Sequence, residues 1–239
     1  MAVVMGCSLS ESNATFTLRS LELGAVYFVT KPKGNDRSGF AEFGVELCEK
    51  LRASVSARLK RPHAMPRPPG PAPVAFQPLA MIAIGASTGG TEALKEVLVR
   101  LPSNSPPVVI VQHMPEMFTR MFAGSLNSLC ALKVTEAVNG ERLQAGHAYI
   151  APGNWHVTVK KIARHLQFRT AQEDPVNRHR PSVDVLFHSV ASQVGPHAVG
   201  ALMTGMGRDG AEGLGALKRA GAFTIAQDRD TCVVFGMPK

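Results

Sequence analysis

Three short motifs in this 239-residue chain carry side chains suited to acyl-transfer chemistry. Ser87 lies in a Gly-x-Ser-x-Gly turn, His113 follows a run of aliphatic residues, and Asp209 lies among three glycines. A serine on a sharp turn is well presented for attack, a histidine titrates near neutrality and can act as its base, and an aspartate can orient the imidazole. Each motif is expected to follow a parallel strand, and such strand ends meet at one edge of a sheet. The three side chains are therefore predicted to form a catalytic triad.

Each motif also has a second interpretation. Residues 85–90 could form the phosphate-binding turn of a dinucleotide fold, and the glycines alone do not decide between the two. His113 could be structural, and Asp209 could cap the next helix. A short-chain dehydrogenase would need a Tyr-x-x-x-Lys motif after the glycine turn, but Tyr149, the tyrosine found there, is followed four residues later by Gly153. The three motifs taken together favour a hydrolase.

The elements that must position these motifs are those of an α/β fold. Residues 81–84 and 108–111 are short, wholly apolar runs, each followed by a turn and then by apolar residues at helical spacing. Parallel strands buried on both faces have this appearance. A strand at 198–203, a helix and a strand at 223–226 continue the pattern. We therefore predict a doubly wound, mostly parallel sheet.

The stretch from residue 134 to 170 has a different sequence pattern. Three short segments, 148–150, 156–159 and 165–168, have strand-like composition but are not separated by helical patterns. Closely spaced strands of this kind are typical of antiparallel hairpins. We predict an antiparallel β-hairpin excursion here, which includes the segment at 148–150.

The N-terminal third differs in composition from the rest. Residues 1–60 predict two strands and two helices, too little for an independent core. Residues 61–78 contain seven prolines and predict an extended linker. Residues 51–79 hold five basic and no acidic side chains, so they carry +5 of the net charge of +8. Because that segment has a single aromatic residue, Phe76, we predict no nucleic-acid partner.

Cysteine spacing and hydropathy constrain the compartment. The four cysteines are too far apart for a zinc-binding motif or a disulfide framework. No apolar stretch approaches the length of a membrane span, and the start lacks the pattern of a signal peptide. We predict a cytoplasmic protein with reduced thiols and no direct insertion into a membrane.

Five segments together resemble the chemotaxis protein-glutamate methylesterase (CheB) family: residues 83–91, 112–115, 149–153, 178–184 and 204–210. The resemblance covers about residues 80–239. It implies that Ser87 is the nucleophile, His113 the base and Asp209 the orienting carboxylate, with no cofactor and no metal. It further implies oxyanion or substrate contacts by four residues, namely Thr88, Met206 through its backbone N–H, Arg178 and Arg180.

The family resemblance also implies a substrate and partners. The expected reaction is hydrolysis of glutamate γ-methyl esters, and deamidation of glutamines, on methyl-accepting chemotaxis receptors through a glutamyl-enzyme intermediate. This reaction serves adaptation in chemotaxis. The chemotaxis histidine kinase is a further partner of full-length relatives. The alternative is a catalytically incomplete remnant that docks on receptors or regulates them.

The family architecture implies three parts in this chain. Residues 1–60 resemble the C-terminal fragment of a receiver domain, in which Lys31 and Pro32 match the switch lysine and the following proline. Residues 61–78 are the basic linker, and residues 79–239 are a catalytic domain that is C-terminally incomplete. The front of the receiver is absent from the sequence, so we expect no phosphoacceptor aspartate.

Overall fold

The computed structural model describes residues 2–7, 11–32, 37–55, 57 and 81–239. The predicted linker at 61–78 lies outside these residues. The strands are β1 (Val4–Cys7), β2 (Tyr27–Thr30), β3 (Met81–Ala86), β4 (Val108–Gln112), β5 (Lys133–Glu136), β6 (His147–Ile150), β7 (His156–Ile162), β8 (His165–Ala171), β9 (Ala198–Leu202) and β10 (Phe223–Ala226). The helices are α1 (Glu11–Glu22), α2 (Arg37–Val55), α3 (Gly90–Leu98), α4 (Glu116–Asn127), α5 (Val183–Gln193) and α6 (Ala211–Arg219).

A six-stranded sheet forms the centre of the fold. Its strand order is β10-β9-β3-β4-β6-β5, and every neighbouring pair is parallel. The predicted parallel α/β architecture is confirmed. The strands β9, β3 and β4 are adjacent, so the segments that leave their carboxyl ends lie side by side.

Helices cover both faces of this sheet, as expected for a doubly wound fold. Along β4, Ile110 packs on the same side as Phe118 of α4, whereas Val109 packs on the side of Phe187 of α5. Both strand residues are fully buried. Since successive side chains of a strand point to opposite faces, a continuous apolar run is what a strand between two helical layers requires.

One strand differs from the sequence-based expectation. Residues 148–150 were predicted to belong to the antiparallel excursion, and this is wrong, because they form the parallel strand β6 between β4 and β5. Ala148 and Ile150 pack on one face and Tyr149 on the other, all fully buried. The tyrosine hydroxyl is accommodated because the Gln144 N–H donates to it at 3.2 Å. Because residues 148–150 form a short run that includes the polar Tyr149 hydroxyl, the sequence did not identify them as a strand of the main sheet.

The antiparallel excursion itself is present, but it is limited to β7 and β8. These strands form a hairpin outside the main sheet. Val157, Val159 and Phe168 of the hairpin are buried in the same core cluster as helix α5. The hairpin therefore covers one side of α5, the helix whose N-terminus lies at the candidate site.

The N-terminal segment packs on the α4 side of the molecule. Its strands β1 and β2 form a separate parallel pair. Phe28 of β2 stacks on Phe118 of α4 with ring centroids 4.9 Å apart. Lys50 of α2 donates to the Phe28 carbonyl at 2.7 Å. Because Phe118 lies near the start of the helix that follows β4, its stacking on Phe28 brings β2 close to the carboxyl-end edge of the six-stranded sheet.

Candidate active site

The three predicted triad residues lie at one edge of the sheet. Ser87 directly follows β3 and His113 directly follows β4, while Asp209 lies in the loop that follows β9. The His113 N–H donates to the carbonyl of Ala86, the residue before Ser87, at 3.1 Å. The first two motifs are thus joined at the backbone, as adjacent parallel strands require.

The turn that carries Ser87 is fixed through its backbone. The Ser87 N–H donates to the Thr204 carbonyl at 3.0 Å, and the Ser87 carbonyl accepts from the Gly90 N–H at 2.8 Å. Gln112, at the end of β4, donates from Nε2 to the same Ser87 carbonyl at 2.8 Å. Gly89 has φ +75°, so a residue with a side chain would be strained there, and a Cβ would also meet Val233.

His113 and Asp209 form a direct hydrogen bond. His113 Nε2 and Asp209 Oδ2 are 2.8 Å apart, and the two side chains are 7% and 1% exposed. Since an ionised carboxylate only accepts hydrogen bonds, Nε2 must carry the proton. In the neutral ring Nδ1 is then the acceptor nitrogen, and this buried atom has no hydrogen-bond partner within the described part of the chain.

The Asp209 carboxylate is held by the N-terminus of helix α5. Val183 N–H donates to Oδ2 at 2.7 Å, and the Ser182 hydroxyl donates to Oδ1 at 2.7 Å. Burial raises the pKa of Asp209, but the hydrogen bonds from His113, Asn177 and Ser182 and the nearby His113 ring outweigh it. The pKa consequently lies well below its ordinary value of 3.8, so the carboxylate is charged at neutral pH.

A second histidine, His179, covers the imidazole ring of His113. The His179 ring stacks on the His113 ring with centroids 3.6 Å apart and planes inclined by 14°. Burial and then the neighbouring His113 lower the pKa of His179 from 6.5 to about 4. Asp209 acts in the opposite direction, whereas Lys50 and Arg178 add to the lowering. His179 is therefore a neutral ring over the His113–Asp209 pair at neutral pH.

The depressed pKa of His179 predicts a pH dependence of stability. As the pH falls below 6.5, the unfolded chain takes up a proton at this residue before the folded chain does, until the pH reaches about 4. The free energy of unfolding should thus fall across this window, and His179→Phe should remove part of that slope while keeping a stacked ring. Denaturant titrations of both chains at pH 7, 5.5 and 4.5 measure this. Parallel pH dependences of the two chains would contradict the assignment.

The two predicted oxyanion residues flank Ser87. Gly205 lies so close that a Cβ there would be 2.8 Å from the Ser87 Cβ, which brings the following residue, Met206, to the nucleophile turn. Within the described residues, neither the Thr88 nor the Met206 backbone N–H donates a hydrogen bond. An oxyanion hole requires N–H groups beside the serine that have no other acceptor, and these two residues meet that requirement.

Tyr27 of the N-terminal segment covers these same two residues. Its hydroxyl lies 4.0 Å from Met206 Sδ, and the Thr88 side chain near it offsets part of the effect of burial on the pKa of the phenol. The tyrosine is 4% exposed, and its burial raises the pKa of the phenol. The N-terminal segment therefore contacts the side chains of the two residues whose backbone N–H groups are the predicted oxyanion donors.

The two predicted substrate arginines have different environments. Arg180 donates to Asn154 Oδ1 at 2.6 Å and to the Glu173 carbonyl at 2.8 Å, so its guanidinium is occupied within the loop. Arg178 is 85% exposed and pairs with Glu49 of α2 at 3.3 Å. An exposed pair of this kind contributes little to stability, so Arg178 is available for another carboxylate.

Sequence reasoning missed three polar residues of the site, namely Gln112, Asn177 and Ser182. Gln112 directly precedes His113, and its only signal was a polar residue at the end of a buried run. Ser182 caps α5, and a serine before an apolar helix is a recognisable cap. Asn177 gave no signal, because its contacts depend on the path of a loop.

Among residues 2–55 and 81–239, so far as the structure describes them, no helix is long and apolar enough to cross a membrane.

A parallel sheet with a serine and a hydrogen-bonded His–Asp pair at adjacent strand ends is an arrangement that serine hydrolases use. The fold and the site together place the chain in the class of α/β hydrolytic enzymes.

Comparisons with known proteins identify the family. The family model for the CheB methylesterase matches residues 82–239. A protein-glutamate methylesterase/protein-glutamine glutaminase of Paraburkholderia xenovorans is 51% identical over 251 residues, which cover 100% of this chain and 69% of the relative. A protein of the same name from Salmonella typhimurium is 51% identical over 241 residues, with the same coverage.

A solved structure agrees with these relatives. The crystal structure of the Thermotoga maritima CheB methylesterase catalytic domain matches with a TM-score of 0.66 and 40% identity, covering 67% of this chain and 85% of that one. The chain belongs to the CheB methylesterase family, and it is an enzyme of the methylesterase class. Family membership also favours the hydrolase interpretation of the glycine turn over the dinucleotide-binding one.

Proposed function

We propose that this chain hydrolyses glutamate γ-methyl esters, and deamidates glutamines, on the cytoplasmic helices of methyl-accepting chemotaxis receptors. Ser87, His113 and Asp209 act as the triad, and the reaction serves adaptation in chemotaxis. The names of the relatives support the reaction class. The observation that carries the proposal is the 2.8 Å bond between His113 Nε2 and Asp209, because it leaves a buried and unpartnered Nδ1 at the edge where Ser87 lies.

The first half of the reaction forms an acyl-enzyme. Ser87 Oγ attacks the ester carbonyl carbon while His113 Nδ1 takes the hydroxyl proton, and Asp209 remains ionised and stabilises the imidazolium. The tetrahedral intermediate collapses, the bond to the methoxy oxygen breaks, and His113 returns the proton to give methanol. A glutamine substrate releases ammonia at the same step.

The second half regenerates the enzyme. A water molecule gives a proton to His113 Nδ1 and attacks the glutamyl ester of Ser87. The second tetrahedral intermediate releases Ser87, which recovers its proton from His113, and leaves a glutamate side chain. We assign the oxyanion of both intermediates to the backbone N–H groups of Thr88 and Met206, which are supported as donors by having no acceptor among the described residues.

The two arginines take different parts in this proposal. Arg178 contacts carboxylates of the receptor surface, which is supported by its exposure and by its weak pairing with Glu49. Arg180 shapes the same loop from within, because its guanidinium is taken up by Asn154 and backbone carbonyls. Substrate recognition by Arg180 would thus be indirect.

We further propose that residues 1–60 are the end of a receiver domain and that residues 61–78 link it to the catalytic domain at 79–239. The chain spans 69% of the length of the Paraburkholderia relative, which supports a longer architecture in the family. In this proposal the histidine kinase of chemotaxis is a partner of the receiver domain.

Methanol release tests the function directly. Receptor-containing membranes are methylated with labelled methyl groups, and volatile label is collected after addition of the full chain. The proposal expects release with the native chain and none above background with Ser87→Ala. Binding of the native chain to the membranes without any methanol release would instead favour the docking or regulatory alternative.

The position of Tyr27 predicts that the N-terminal segment limits access to the site. Tyr27→Ala should raise the hydrolysis rate of a small activated ester several-fold, because it uncovers Thr88 and Met206. Tyr27→Phe is the matched control, since it keeps the ring in place and should stay close to the native rate. The initial rate at low ester concentration is the measurement, and an unchanged or lower rate for Tyr27→Ala would contradict the prediction.

A further inference from the structure

A tight turn beside the triad reaches both members of the His113–Asp209 pair. Val176 and His179 exchange backbone hydrogen bonds of 3.1 and 2.9 Å, which close a two-residue turn at Asn177 and Arg178. Both turn residues have positive φ, +52° and +67°. Two successive non-glycine residues in this region are energetically unfavourable, and such conformations persist where the surrounding contacts fix them.

The contacts of Asn177 fix one end of this turn. Its Nδ2 donates to Oδ1 of Asp209 at 2.9 Å, on the carboxylate oxygen that does not face His113. The same Nδ2 donates to Oδ2 of Asp184 at 2.7 Å. An amide nitrogen has two protons, so it can serve both carboxylates at once.

Asp184 makes this arrangement unusual. It is 5% exposed and Asp209 is 1% exposed, so two buried carboxylates contact a single nitrogen. The other oxygen of Asp184 accepts from the Gly213 N–H at the start of α6. Two like charges in a buried site disfavour each other, and a neutral donor between them offsets this repulsion.

We propose that Asn177 is a positioning residue of the triad, whose amide bridges Asp184 and Asp209 and holds the Asp209 carboxylate toward His113. This inference rests on the proposed function of the Ser87–His113–Asp209 site. Asn177 acts through Asp209 and touches neither the nucleophile nor the substrate.

The bridge has a consequence for the pH dependence of activity. Without the amide, Asp184 opposes Asp209 directly, and the pKa of the Asp209 carboxylate rises. The same uncompensated negative charge lies beside His113 and favours the proton-carrying imidazole, which cannot act as a base, so activity is lost at a higher pH than in the native chain. Among the described residues, the other titratable or charged groups around the cluster are four histidines and three further side chains, namely His113, His156, His179, His188, Arg178, Lys50 and Glu212.

Asn177→Gly is the main test variant, because glycine adopts positive φ without strain and removes only the amide. The variant loses the stabilisation that a hydrogen bond to a charged carboxylate contributes. We therefore expect kcat for a methyl ester to fall about tenfold to a hundredfold, with little change in KM. The acidic limb of the kcat profile should move to higher pH. Ala163→Gly is the matched control, since Ala163 has the same φ of +52° in the exposed turn between β7 and β8.

A second substitution separates the electrostatic role from a structural one. Asp184→Asn removes one charge but keeps an oxygen that can accept from the Gly213 N–H. Combined with Asn177→Gly, it should return the acidic limb toward its native position and restore part of kcat. A merely structural role of Asn177 would give additive losses in the double variant.

The outcomes are distinguishable. A native kcat and pH profile for Asn177→Gly, or losses that simply add in the double variant, would overturn the inference. If Asn177→Gly shows no cooperative melt, Asn177→Asp preserves the side-chain size and should lose more activity, again with recovery by Asp184→Asn. Ser87→Ala is measured in parallel: if it remains active the proposed function fails, whereas a native Asn177→Gly beside an inactive Ser87→Ala refutes only the role of Asn177.

Discussion

Ser87→Ala is expected to lower turnover of a methyl ester by at least about 10⁴-fold, because triad members act as a unit and the serine supplies the attacking oxygen. The fold should be unaffected. The turn is held by backbone bonds of Ser87 to Thr204 and Gly90, and alanine retains the Cβ that packs against Gly205. Methanol release in single-turnover and steady-state assays measures the loss, and thermal melts check the fold.

A matched control for this substitution is Ser128→Ala. Ser128 ends helix α4 on an exposed surface, and its hydroxyl donates only to the Ser125 carbonyl of its own helix. This variant should keep the native rate. Retention of more than about a tenth of the activity by Ser87→Ala would show that another group attacks the ester.

His113→Ala is expected to be nearly as damaging, and the double variant Ser87→Ala/His113→Ala should be no worse than either single variant. The physical reason is that the base has no function without its nucleophile, and the nucleophile is weak without its base. The measurement is kcat for the same methyl ester in all three variants.

The experiment with His113→Ala must separate the loss of the base from a loss of stability at Asp209. Removing the imidazole leaves the buried carboxylate without one of its partners, so the melting temperature should fall as well. Activities are therefore compared at a temperature where every variant is folded. Losses that multiply in the double variant would mean that Ser87 and His113 do not share one mechanism.

The sequence was sufficient for the parallel strands that carry the triad motifs. Continuous apolar runs predicted β3 and β4, and both occur as neighbours in the sheet. The order of the strands could not be predicted, because it depends on the path of the connections. Thus convergence of Ser87, His113 and Asp209 was an inference from motif position, and their relative geometry required the structure.

Strand β6 shows where the pattern was ambiguous. Its buried run is only three residues long and includes the polar hydroxyl of Tyr149, so it resembled hairpin material. The hydroxyl is compensated by the Gln144 N–H and by the Arg142 carbonyl, which lie in the preceding loop. Such compensation depends on tertiary structure and leaves no periodic signal.

The supporting polar groups of the site were also beyond sequence reasoning. Asn177 lies in a loop and Gln112 at the end of β4, and both contact residues from distant parts of the chain, so no local pattern marks their contacts. Tyr27 is the clearest example, since it lies 179 positions from Met206 in the chain. Residues that contact a site through long-range packing can be found only once the packing is known.

The central claim is that Ser87 is the nucleophile, and a covalent probe tests it most directly. The full chain is treated with a fluorophosphonate that modifies activated serines, and the adduct is located by peptide mass mapping while methanol release is followed in the same samples. The account predicts one adduct per chain, on Ser87, with activity lost in proportion, and little labelling in His113→Ala. Two results would contradict the account. The first is an adduct on another residue that abolishes activity. The second is full activity in a chain that is modified at Ser87, or that stays unmodified at a saturating concentration of the probe.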